Sequence, residues 1–94
     1  MKTFNDIKFK LHPNGMGGIL GQMELGNGYK ISVVGGGRGL YGDGKKTFEV
    51  AIFDRLDEMI MLSETDQVLG WQTIDQVNEI IKKFDEEPIL KVKL

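Results

Sequence analysis

Gly37, Gly39 and Gly42 stand in G-x-G-x-x-G spacing within Gly35 to Gly44, a segment in which six of ten residues are glycine. In a dinucleotide-binding loop such glycines admit the pyrophosphate, and the helix that follows turns its N-terminus toward it. Here Asp43-Gly44-Lys45-Lys46 leads into Thr47-Phe48-Glu49-Val50, a strand pattern, so that chemistry lacks its helix. A kinase-type loop does join two strands, but it needs a lysine on the second strand and a much larger chain carrying the catalytic aspartate and metal ligands. The P-loop pattern fails as well, because Gly44-Lys45 is followed by Lys46 instead of serine or threonine. Two roles remain. Arg38, Tyr41, Lys45 and Lys46 among exposed backbone N–H groups suit an anion held in a backbone nest, and Arg38, Leu40 and Tyr41 suit a protein partner. The partner is preferred, since so short a chain has little concavity, although a homodimer would supply a pocket. Ahead of both functional roles, the first expectation for the segment is a plain mobile hairpin loop.

No other residue group carries catalytic chemistry. His12 is the single histidine, with no cysteine in the chain, and it stands beside Pro13 as a turn residue; no metal site is expected. Asp54, Asp57 and Glu58 lack EF-hand spacing and read as a solvated turn. Ser32 and Ser63 are the only serines, neither lies in G-x-S-x-G, and no enzyme activity or cofactor is expected. Trp71, beside Gly70, reads first as a core or hinge aromatic and second as an interface anchor. Met16, Met23, Met59 and Met61 read as core filler.

The elements that must position these residues are short. A chain of 94 residues implies one domain, 1–94, with its core over 4–85 and a tail at 86–94. Twelve basic against fourteen acidic residues give a net charge of −2, which provides no field for non-specific nucleic-acid or membrane binding. The absence of cysteine fits a reducing compartment, and neither a signal peptide nor a spanning segment is legible, so a cytoplasmic location is expected.

Ile7, Phe9 and Leu11 alternate with Lys8, Lys10 and His12 as a half-buried strand that ends at the turn residues Pro13-Asn14-Gly15. A second strand spans Gly18 to Leu25, with Gly21 marking a bulge or close packing. Asn27-Gly28 predicts a primed hairpin turn into a third strand, Tyr29 to Val34. Thr47 to Phe53 makes the fourth, with Phe48, Val50 and Ile52 inward, and Met59 to Leu62 a short fifth. From Thr73 the period lengthens: Ile74, Val77, Ile80, Ile81 and Phe84 form one helical stripe, capped by Thr73 with Gln76 and ended by Glu86-Glu87-Pro88. Ile89 to Leu94 alternates as an edge strand or a frayed end. The expected fold is α+β, an antiparallel β-meander of about four to five strands with one C-terminal amphipathic helix packed on one face.

The blocks His12-Pro13-Asn14-Gly15-Met16-Gly17-Gly18, Asn27-Gly28-Tyr29 with Ser32-Val33-Val34, and Phe48-Glu49-Val50-Ala51-Ile52-Phe53-Asp54 resemble small accessory proteins of tailed bacteriophages. Thr65-Asp66-Gln67-Val68-Leu69-Gly70 before the helix fits the same pattern, and the resemblance runs over about Phe4 to Phe84. It implies an accessory protein acting in the host cytoplasm by binding and inhibiting a host or defence protein, such as a CRISPR or restriction nuclease. The expected function is thus a non-enzymatic protein-binding module with Arg38, Leu40, Tyr41, Lys45, Lys46 and Trp71 as partner-binding residues and no direct nucleic-acid or membrane contact. The alternatives are a protein that sequesters a nucleotide or other anion through the glycine loop, and a minor virion component.

Overall fold

The computed structural model describes residues 2–12, 17–37, 41–63 and 66–86. The Pro13-Asn14-Gly15 turn, Met16, Arg38, Leu40 and the tail 87–94 lie outside the described residues.

Five strands form one antiparallel sheet in the order β1-β2-β3-β4-β5: β1 is Lys8–Leu11, β2 Ile19–Glu24, β3 Lys30–Gly35, β4 Thr47–Phe53 and β5 Val68–Thr73. Phe9 lies opposite Gly21, Gly21 opposite Val33 and Val33 opposite Val50. Side chains two apart on a strand share a face. Ile31, Val33, Phe48, Val50 and Ile52 therefore line one side, all at most 2% exposed. The helix α1, Ile74–Glu86, covers that side with Val77, Ile81 and Phe84. This is the α+β meander expected from alternation in the strands and the three-and-four spacing in the helix.

Capping holds both ends of the packed layer. Thr73 Oγ1 accepts from the N–H of Gln76, whose Oε1 accepts from the N–H of Thr73. Before β1, Thr3 and Asp6 form a second capping box around a 3-10 turn, Phe4–Asp6. The N–H of Phe4 donates to Asn78 Oδ1 on α1 at 2.7 Å, and the rings of Phe4, Phe9 and Phe48 stack at 4.9–6.0 Å between centroids.

Three expectations need correction, the turn after β2, the place of the fifth strand and the burial of Met61. The β2–β3 connection is a 3-10 turn over Gly26–Gly28, closed by the N–H of Leu25 donating to Tyr29, with Gly28 at φ +85°; it is a longer loop with one left-handed glycine, not a two-residue primed turn. Of the two readings for Gly21, close packing holds: pairing runs through it unbroken, and a Cβ there would press on Ile7 and Phe9. Met59 to Leu62 is not a strand; only Met59 bridges to Phe53, while Ile60 and Leu62 pack on the core from a loop. The fifth strand is Val68–Thr73, where a bulge breaks the alternation that would have announced it. Of the methionines, Met23 packs on the core, but Met61 is exposed.

Candidate functional site

Residues 35–46 join β3 to β4, and their described part is folded down, not free. The N–H of Gly36 donates to Gly42 and that of Gly44 to Thr47, both at 2.9 Å. A Cβ on Gly42 would lie 2.6 Å from Phe48 Cα, and one on Gly35 would lie 2.8 Å from Gly44 Cα. Glycine recurs here because backbone lies against backbone.

At the end of this loop a cluster of backbone N–H groups is engaged by the chain itself. Asp43 Oδ1 accepts from the N–H groups of Lys45, Lys46 and Thr47 at 2.8, 2.8 and 3.0 Å, and the N–H of Asp43 donates to Thr47 Oγ1. These donors hold the Asp43 carboxyl far below the usual carboxylate range, the Thr47 N–H contributing most. A phosphate would have to displace a carboxylate already carrying three hydrogen bonds. The side chains of Lys45 and Lys46 project as exposed groups.

Tyr41 and Trp71 are brought together. Between Phe48–Gln72 and Val50–Leu69 the register shifts, leaving Gly70 and Trp71 opposite Glu49 alone. The bulge puts Trp71 at φ +56°, a left-handed conformation that costs a bulky residue about 1–2 kcal/mol. Its N–H, turned from the β4 ladder, donates to the Tyr41 carbonyl at 2.7 Å. The N–H of Tyr41 in turn donates to Glu49 Oε1 at 2.9 Å. Gly70 lies beneath the tyrosine, where a Cβ would come within 2.6 Å of Tyr41 Cβ. Tyr41 and Trp71 stay 59% and 60% exposed. Trp71 is thus not a core aromatic. Glu49 and Gly70 are legible in the sequence, but not the bulge they set; Gly70 before an aromatic in a strand is the available signal.

The other residues weighed for chemistry make local hydrogen bonds in turns and at strand ends. The N–H of His12 donates to Gly18, and Asp54 Oδ1 accepts from Leu56 and Glu58 as a polar turn. Ser63 Oγ accepts from the N–H of Asp66 in a similar turn. Among the described residues no group of three or more His, Cys, Asp or Glu is placed to hold a metal ion, and no helix is long and apolar enough to cross a membrane. A shallow polar cavity of about 320 Å³ lies at the opposite end of the sheet, lined in part by Glu24, Lys30, Arg55 and Asp57, with Lys30 paired to Asp57 across 3.4 Å.

The class defined by this geometry is an α+β protein with an open five-stranded meander, one helix, and an exposed aromatic pair fixed at a strand bulge. No family model, no curated protein and no solved structure matches the chain.

Proposed function

We infer that this chain is a non-enzymatic protein-binding module, a phage-encoded inhibitor or modulator of a host or anti-phage defence protein such as a CRISPR or restriction nuclease. The Tyr41–Trp71 pair carries the protein-binding reading. Two large aromatic side chains stay exposed although their backbones are tied to each other and to Glu49, and one holds a strained conformation. Exposed, rigidly presented Tyr and Trp are the residues that dominate binding energy when an interface closes on them, and strain of this kind clusters where function needs it. Lys45 and Lys46 are exposed in the loop just before β4, the loop that also carries Tyr41, and Arg38 and Leu40 belong to it by sequence. The phage setting rests on the sequence resemblance alone, and the cytoplasm is the compartment it implies. The anion-sequestering alternative is disfavoured because Asp43 engages the N–H groups of Lys45, Lys46 and Thr47.

The test is affinity purification of the tagged chain from infected bacteria, followed by affinity measurement on the recovered target. A stoichiometric host or defence protein is expected, with Tyr41→Ala and Trp71→Ala together costing roughly 30-fold or more in affinity, as loss of a hot spot does. Unchanged binding by the pair would place the surface elsewhere. Thermal stabilisation by a nucleotide with no protein recovered would replace the reading with ligand sequestration.

A further inference from the structure

The polar cavity of about 320 Å³ at the end of the sheet away from the glycine loop lies at the small end of the ~300–1,000 Å³ range of ligand sites. One wall is the β2–β3 connection from Glu24 to Lys30, and the other is the turn after β4 that carries Asp54, Arg55 and Asp57. Both walls are held in place. Asp54 Oδ1 accepts from the N–H groups of Leu56 and Glu58, and Lys30 reaches across to Asp57 at 3.4 Å, tying the turn to β3. Tyr29 is backed by Phe84, ring edge to ring face with 5.1 Å between centroids. Gly28 is the bed of Arg55, since a Cβ there would strike Arg55 Cγ. Glu24 stands directly opposite Lys30 on the neighbouring strand, where an ion pair would ordinarily form, yet the lysine goes to Asp57. That leaves a carboxylate over. Among the described residues the Glu24 carboxylate and the Arg55 guanidinium have neither an ion pair nor a hydrogen bond, and they do not pair with each other.

We propose that this cavity binds a small amino acid, its carboxylate taken by Arg55 and its ammonium group by Glu24. A bare anion would meet three carboxylates, Glu24, Asp54 and Asp57, against two cations, and a bare cation would meet the Arg55 guanidinium. A ligand carrying both charges satisfies both unpaired groups at once. The guanidinium fork donates two parallel hydrogen bonds to a carboxylate, and an ammonium group brings donors to the acceptor-only carboxylate of Glu24. The polar lining selects against an apolar ligand, and the exposure of Glu24 and Arg55 to water keeps the affinity modest, in the millimolar range. The site lies away from Tyr41 and Trp71, so it holds or fails independently of the protein-binding reading.

Amide NMR on the isotope-labelled whole chain tests it by titration with glycine, β-alanine and γ-aminobutyrate, which differ only in the spacing of their two charges, and with acetate and methylammonium at matched ionic strength. At least one of the three amino acids is expected to give saturable shifts at the amides of Gly28, Tyr29, Arg55 and Asp57, with those of Tyr41 and Trp71 unmoved. Acetate or methylammonium alone should move the same amides far less. Glu24→Gln and Arg55→Gln each remove one charge from an exposed side chain, and each should weaken binding roughly tenfold or more while the rest of the spectrum reports an intact fold. The absence of a saturable shift with all three amino acids overturns the proposal. Equal shifts with acetate overturn it too, since they would mean a site for a bare anion, as does unchanged binding by either variant.

Discussion

Trp71 holds a left-handed backbone that its side chain disfavours, and two substitutions separate the backbone effect from the side chain. Trp71→Ala removes the indole but keeps a Cβ in the strained conformation, whereas Trp71→Gly removes both. Relief of about 1–2 kcal/mol outweighs the extra unfolded-state entropy of glycine, about 0.5–1 kcal/mol, so the glycine variant should melt above the alanine variant. The reverse order in thermal melts would mean that the bulge is not strained. Asp43 gives a pH prediction at the same scale. Its carboxyl is depressed by three backbone donors, so its contribution to stability is present in full above about pH 4 and is lost as pH falls toward the folded value. Asp43→Ala should therefore lower the melting temperature near neutrality, and the gap to the unaltered chain should narrow on acidification. The carboxyl is exposed, which keeps the effect small.

Elements were legible where one physical rule acted alone. In α1, Ile74, Val77, Ile81 and Phe84 recur every three or four residues and Thr73-x-x-Gln76 supplies the cap; the helix begins where that pattern says. β3 and β4 show the same agreement, with Ile31, Val33, Val50 and Ile52 buried at every second position. β5 was misplaced because two rules collided. The Gly70–Trp71 bulge inserts one residue and flips the alternation, while Met59-Ile60-Met61-Leu62 presents an apolar run that makes only a bridge. The site was half legible. Tyr41, Lys45 and Lys46 stood out by type, but the engaged N–H cluster depends on Asp43 reaching donors two to four residues on, which composition does not show. Two stability measurements belong here: Thr73→Ala should cost about 1 kcal/mol through the lost cap, and Ile81→Ala about 2–5 kcal/mol through the cavity left in the core. Urea denaturation checks both, and equal losses would mean that the helix is held by its cap as much as by its packing.

At the scale of the molecule, one buried cluster draws on β3, β4 and α1, with Phe9, Ile19 and Met23 packed against it from β1 and β2. β5 contributes no buried side chain to it and is joined to the sheet through β4. The strand that carries Trp71 is therefore held mainly by backbone pairing and by the Tyr41 carbonyl. Amide hydrogen exchange should show β5 opening at lower free energy than β3, while urea unfolding followed by circular dichroism gives one transition for the rest. Protection of β5 equal to that of β3 would contradict this ranking.

Where the loop meets the sheet, Gly18, Gly35, Gly42 and Gly44 leave no room for a single added methyl, since each Cβ would fall within 3 Å of another stretch of backbone. Tolerance to change is therefore distributed very unevenly along a few neighbouring positions. A saturation library across 35–46 should admit nearly any residue at Lys45 and Lys46 and almost none at Gly35, Gly42 or Gly44. Variation at the exposed positions can thus change the chemistry of the surface while leaving its support untouched.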